Sequence, residues 1–128
     1  MINAMQCPCQ PEKAYVECCG RHHAGEAVPT AEALMRSRYS AYVKNETKYL
    51  HKSWSVQTRP AKKALKQKLD TEWQSLTIIR TEKGTPLDSE GVVEFIAHYI
   101  SEGTEQQLHE TSRFVRENGK WVYLDGNY

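Results

Sequence analysis

Past Cys19 the chain contains no cysteine. All four, Cys7, Cys9, Cys18 and Cys19, fall within thirteen consecutive positions of the 128. Whatever the thiols do is therefore confined to the amino-terminal end. Long apolar runs are missing too: none approaches the ~20 residues a membrane helix needs. Met1 to Gln6 has neither the basic start nor the apolar core of a signal peptide. These absences predict a cytoplasmic protein with no membrane association, in a compartment where thiols stay reduced and cysteine clusters hold metal. Nor does the sequence offer a nucleophile–base pair, a phosphate loop or an open metal site, which weighs against an enzyme. Hydrophobic residues make up 39% of the 14.7 kDa chain, below ordinary usage but enough for one core.

The cysteines that are present carry the strongest signal. Cys7-Pro8-Cys9, eight residues, then Cys18-Cys19 offers four thiolates, the ligand set of a closed tetrahedral zinc site. The loops between them are short and cost little entropy to close. Disulfides and free thiols are the competing readings. Bridges within either pair would be strained small rings, whereas crossed bridges between the pairs are geometrically open. Iron is the alternative metal, since thiolate-rich sites also suit it. His22 and His23 follow closely enough to replace one cysteine. A site with four thiolates leaves no position for a substrate water.

The net charge of +1 hides a split. Residues 1–69 carry twelve Lys/Arg against five Asp/Glu, and residues 70–128 carry five against eleven. Arg59, Lys62, Lys63, Lys66 and Lys68 crowd one short segment. This is a patch for RNA or the ribosome, or else the solvated face of an amphipathic helix. No aromatic residue interleaves with these cations to stack bases, which favours the solvated face.

Along the chain, residues 20–30 read as a linker containing Gly20, Gly25 and Pro29. Thr30 can cap a helix in which Met35, Tyr39, Tyr42 and Val43 share one face, and Asn45 can end it. Glu46 to Trp54 reads as a short second helix or turn, with Tyr49, Leu50 and Trp54 inward. Pro60 suits the first turn of a third helix with Ala61, Ala64, Leu65 and Leu69 as its stripe. After Asp70 the period changes to that of strands: Trp73 to Arg80, Gly91 to Ile100, Gln106 to Glu117 and Lys120 to Asp125. Asn118-Gly119 is a strong hairpin signal. Helices followed by a four-strand antiparallel meander give an α+β fold with the helices on one face of the sheet. Residues 1–25 form the metal knuckle and 26–128 the α+β domain.

A two-residue turn at 118–119 sets the register. Phe114 then faces Tyr123, Arg116 faces Trp121 and Ser112 faces Asp125. Alternation along the strands puts Leu108, Glu110, Ser112, Phe114, Trp121, Tyr123 and Asp125 on one face, continued by Val93, Phe95, Ala97 and Tyr99 on the neighbouring strand. The candidate pocket is thus walled by Phe95, Tyr99, Ser112, Phe114 and Trp121. Glu110 and Asp125 are its acids, and Tyr39 and Tyr123 its donors. The competing reading is a structural cluster in which Arg36 or Arg38, from the first helix, pairs with one of the acids.

Two sets of residues resemble known families. C-P-C, eight residues, C-C, with Tyr15 before the second pair, resembles the SEC-C motif, the metal-binding knuckle at the end of the SecA translocation ATPase and in many small bacterial proteins. Leu34 to Val43, Tyr49-Leu50, Trp54, His109 to Phe114 and Trp121 to Gly126 resemble the YchJ family of small bacterial proteins of unassigned function. That resemblance implies a middle domain similar to nuclear transport factor 2, a cone-shaped, cystatin-like α+β fold with a curved sheet. This fold hosts enzymes and binding modules alike. The favoured expectation is a zinc-binding adaptor whose knuckle docks on a protein or ribosomal partner. The alternative is a small-ligand binder or pocket enzyme using Glu110 or Asp125 as acid and base.

Overall fold

The structure is a computed structural model that describes residues 5–65 and 71–127. Two short antiparallel strands, β1 (Gln6–Cys7) and β2 (Gln10–Ala14), lead through a 3₁₀ turn into helix α1 (Cys19–His23). Two more helices follow, α2 (Ala31–Lys44) and α3 (Thr47–Lys52). Then come four long strands: β3 (Thr71–Lys83), β4 (Glu90–Ser101), β5 (Thr104–Glu117) and β6 (Lys120–Asn127). The last four form one antiparallel sheet in sequence order, β3-β4-β5-β6. This is the α+β architecture of helices on a four-strand meander.

Local chemistry sets the boundaries of α2. Thr30 caps it, its Oγ1 accepting from the Ala33 N–H at 3.0 Å, and Asn45 closes it in the left-handed region at φ 59°. Its start is seated on the β3–β4 hairpin. The Ala31 N–H donates to the Gly84 carbonyl, and the Gly84 N–H to that of Glu90. A Cβ at Gly91 would come within 2.6 Å of the Gly84 Cα and 2.9 Å of the Ala31 Cβ, so the approach requires glycine there.

The helix is buried on more than the one face that Met35, Tyr39, Tyr42 and Val43 suggest. Leu34, Met35 and Tyr39 join Val93, Phe95, Ala97, Phe114 and Trp121 in the core against the sheet. Ser37, Ser40 and Ala41 are fully buried as well, because the cysteine-bearing segment and α3 cover them. Small residues allow that close approach.

The third helix differs from expectation. Lys62–Leu65 forms one 3₁₀ turn, with Leu65 buried beside Tyr49 and Leu50; Lys66, Lys68 and Leu69 lie outside the described residues. The segment after α3 runs along the β6 edge instead. The Tyr123 N–H donates to the Ser53 carbonyl and the Ser55 N–H to the Tyr123 carbonyl. This pins Trp54 against Tyr123.

Both later hairpins turn on two residues with positive φ, Glu102-Gly103 and Asn118-Gly119. Irregularities between Trp73 and Ser75, between Ile78 and Arg80 and between Arg113 and Phe114 interrupt the ladders. Such bulges bend a strand and increase its twist.

Candidate metal centre and helix–sheet cavity

The hairpin β1–β2 and the start of α1 bring Cys7, Cys9, Cys18 and Cys19 together, with their sulfurs all within 4.8 Å of one another. Cys9 Sγ lies 3.6 Å from each of the other three. A tetrahedral site with zinc–sulfur bonds of ~2.3 Å has sulfur–sulfur edges of roughly 3.8 Å. The spacing fits a shared ion and is far too long for disulfides, and the four thiols are free. Cys7, Cys9 and Cys19 are buried and Cys18 is half-buried. Hydrogen bonds from Cys19 and Cys9 lower the Cys7 pKa. Cys19 is raised by its bond to Cys7. Four thiolates this close repel one another unless a cation sits among them, so the donor set matches a metal.

The centre is bound to α2 from several directions. Ser40 Oγ lies 3.6 Å from Cys7 Sγ, and Arg36 donates to the Cys9 carbonyl at 3.2 Å. His23 Nε2 donates to the Ser37 carbonyl at 2.8 Å, which leaves its Nδ1 to accept from the Tyr15 hydroxyl at 2.6 Å. His22 Nδ1 is 3.1 Å from the Glu26 carbonyl. Both histidines brace the turn after the cysteines rather than joining them. Lys44 sits over the Tyr15 ring at 4.3 Å, and burial pushes the Tyr15 hydroxyl up to about 12.

A cavity of about 220 Å³ lies between α2 and the sheet. Met35, Phe95, Ala97 and Leu108 supply apolar lining. Arg38, Tyr39, Tyr42, Trp54, Trp73, Glu110, Ser112 and Tyr123 supply polar groups and rings. Glu110 is buried and accepts from Ser112 Oγ at 2.6 Å and from the Tyr123 hydroxyl at 2.9 Å. The Arg38 guanidinium packs against the Trp54 ring at 5.0 Å and the Tyr123 ring at 4.7 Å. Burial lowers its pKa from the ordinary arginine value.

A family model described as the middle, nuclear transport factor 2-like domain of YchJ matches residues 30–126. The chain belongs to the YchJ family. Relatives of this family include UPF0225 proteins from Xanthomonas campestris pv. campestris, 48% identical over 93% of this chain and 92% of theirs, and from Streptomyces coelicolor, 45% identical over 95% and 94%. A SEC-C motif containing protein from Rhodopseudomonas palustris, solved in solution, superposes with a TM-score of 0.84. It is 30% identical, over 96% of this chain and 98% of that one. A crystal structure of a SEC-C motif containing protein from Psychrobacter arcticus gives 0.78 at 29% identity, over 95% and 81%.

Within this YchJ-family fold, the residues singled out in the sequence divide. Tyr39, Phe95, Glu110, Ser112 and Tyr123 do meet at the cavity. Tyr99 stands behind it, against Trp73 at 5.3 Å between ring centres. Phe114 is fully buried in the core against Tyr123. Trp121 lines a separate groove and donates to the Pro29 carbonyl at 3.2 Å.

Asp125 requires a correction. Phe114 pairs with Tyr123 as the turn dictates, but Arg113 pairs with Asp125 and Ser112 with Gly126. Leu124 is the extra residue, and one inserted residue sends everything beyond it to the opposite face. Asp125 therefore points away from Glu110 and forms a two-bond ion pair with Arg113, at 2.7 and 2.5 Å; that arginine holds its pKa below the ordinary aspartate value. The two acids do not form a pair.

The arginine expectation also fails. Arg36 pairs with Glu32 at 2.9 Å, one turn back on α2. Arg38 donates to the Leu50 carbonyl at 3.0 Å and Ser53 Oγ at 2.7 Å. Neither forms a salt bridge with Glu110 or Asp125 among the described residues.

Trp73 was not singled out for the cavity. It pairs with Tyr99 across the β3–β4 ladder, whose strands are joined by the long connection over residues 84–89, so no two-residue turn gives that register from the sequence. Among the basic residues, Arg59, Lys62 and Lys63 are exposed, and Lys66 and Lys68 lie outside the described residues. No described helix is long and apolar enough to cross a membrane.

Proposed function

We propose that this YchJ-family chain is a zinc-binding interaction module of the cytoplasm, non-catalytic at its metal, whose knuckle docks on a protein or ribosomal partner. One observation carries this reading: the cysteine cluster is clamped to α2 on its inner side while its outer side presents apolar residues. Val16 is 74% exposed and Met5 79% exposed. Large apolar side chains displayed on a rigid, metal-held loop are what a partner surface can cover. Zinc, with four thiolates, would supply rigidity and no reaction, because no coordination position is left for substrate. Arg59, Lys62 and Lys63 would add an electrostatic contact to a ribosomal partner.

The test has two parts. Metal analysis of purified protein should give about one zinc per chain by the closed-site rule. Cross-linking in cells, followed by sedimentation, should then show a defined partner or ribosome association that Val16→Asp removes while zinc content stays unchanged. A zinc-loaded protein whose associations are identical with and without that substitution would contradict the docking reading.

A further inference from the structure

Among the described residues, three buried side-chain polar atoms have no hydrogen-bond partner: the Tyr39 hydroxyl, Trp54 Nε1 and Trp73 Nε1. All three belong to residues that line the 220 Å³ cavity. They come from three different elements, α2, the segment after α3, and β3, yet meet around one space. Buried donors are ordinarily satisfied, so three orphans converging on one cavity demand an explanation. An indole N–H can only donate. Burial raises the Tyr39 pKa, so its hydroxyl keeps its proton and can donate as well.

A cation and an acid face the same space. The Arg38 guanidinium is buried at this cavity and has no salt-bridged carboxylate among the described residues. The one buried acid here, Glu110, lies within electrostatic reach of Arg38 and turns its carboxyl to the Ser112 and Tyr123 hydroxyls, so a ligand's acceptor oxygens belong at the three unpartnered donors and away from it. The remaining lining is apolar or aromatic, from Met35, Phe95, Ala97 and Leu108. A cavity of ~150 Å³ admits a benzene ring. This one holds a ring and a small polar substituent, and falls short of the ~300 Å³ at which drug-sized sites begin.

We propose that this cavity is a binding site for a small aromatic carboxylate, its ring against the apolar wall and its oxygens accepting from Tyr39, Trp54 and Trp73 beside the Arg38 cation. The role is recognition, and no bond is made or broken. It is independent of the knuckle and of its docking.

The chain's three tryptophans make the test direct, because Trp121 donates to Pro29 and lines a different groove. Benzoate is titrated into the full-length protein while the indole N–H signals are followed by NMR. Toluene, which has the ring without the acceptor oxygens, serves as the control.

The expected result is saturable movement of the Trp54 and Trp73 signals with Trp121 still, and toluene binding at least ~10-fold more weakly, a difference of about 1.4 kcal/mol. Tyr39→Phe, which keeps the ring and loses only the hydroxyl, and Trp73→Phe, which replaces the indole by a smaller ring without a donor, should each weaken benzoate while leaving the rest of the spectrum folded. Three results would each overturn the proposal: indoles unmoved at about 10 mM benzoate, tenfold above a 1 mM Kd, as when water alone occupies the cavity; toluene binding as well as benzoate; or Trp121 moving with the other two.

Discussion

The carboxyl group of Glu110 occupies the place where a side chain at position 126 would begin. A Cβ added to Gly126 would overlap the Glu110 Oε2, and the Cδ and Cγ behind it. The bulge at Leu124 puts Gly126 opposite Ser112, so the same irregularity that removes Asp125 from the cavity brings a glycine beneath Glu110. The buried acid, its two hydroxyl donors and the missing side chain form one local unit.

Gly126→Ala should therefore destabilise the fold by about 1–3 kcal/mol, the usual cost of forcing extra volume into a packed site. In a Glu110→Ala background that cost should largely vanish, and a double-mutant cycle by urea unfolding would measure the coupling. Additive effects would mean that the two positions do not share the space.

Glu110→Ala alone leaves the Ser112 and Tyr123 hydroxyls without their shared acceptor. Orphaning buried polar groups costs about 1–3 kcal/mol each, so the loss should be readily seen in denaturant unfolding. Asp125→Asn, on the exposed face, should leave the melting temperature nearly unchanged. Equal effects at the two acids would contradict their assignment to opposite faces.

His23 gives a pH signature. Burial lowers its pKa below the ordinary 6.5, so the folded state keeps the ring neutral. The associated stability is present above that value and is lost as pH falls through it, because the unfolded chain takes up a proton that the fold refuses. Following the ring by NMR should show an apparent pKa below 6.5. A value at or above it would mean that the ring is not shielded between Tyr15 and Ser37.

Much of this molecule was legible because local chemistry agreed with the final structure. Thr30 and Asn45 bound α2, and Asn118-Gly119 turned the last hairpin, each through its own backbone preference. The register from that turn held as far as Phe114 and Tyr123. It failed at Leu124, because a bulge is chosen by what lies above the strand, here the Glu110 carboxyl, and no turn signal encodes it. The positions of Arg36 and Arg38 were hidden for a similar reason. Helical period gives a face, but α2 is covered on more than one, and the partners come from the knuckle and α3. In the sequence Trp54 reads as an inward-facing residue and Trp73 only as the start of a strand. Only the assembled cavity shows that their indole N–H groups lack partners.

Removal of the metal should act unevenly. Cys7, Cys9 and Cys19 share a core cluster with Leu34, Met35 and Tyr39, while β4 and β5 are paired along their whole lengths. A chelator should abolish amide protection in residues 5–25, reduce it in α2, and leave the centre of β4–β5 protected. Hydrogen exchange followed by NMR reads all three. Loss of protection everywhere at once would show that the sheet depends on the metal.

The most direct test of the whole account is X-ray absorption at the zinc edge of the protein as purified. Four sulfur neighbours at about 2.3 Å and no nitrogen or oxygen neighbour is the predicted shell. A shell that includes an imidazole nitrogen or a water oxygen would contradict the closed four-cysteine centre, and a protein without zinc would contradict the choice of metal.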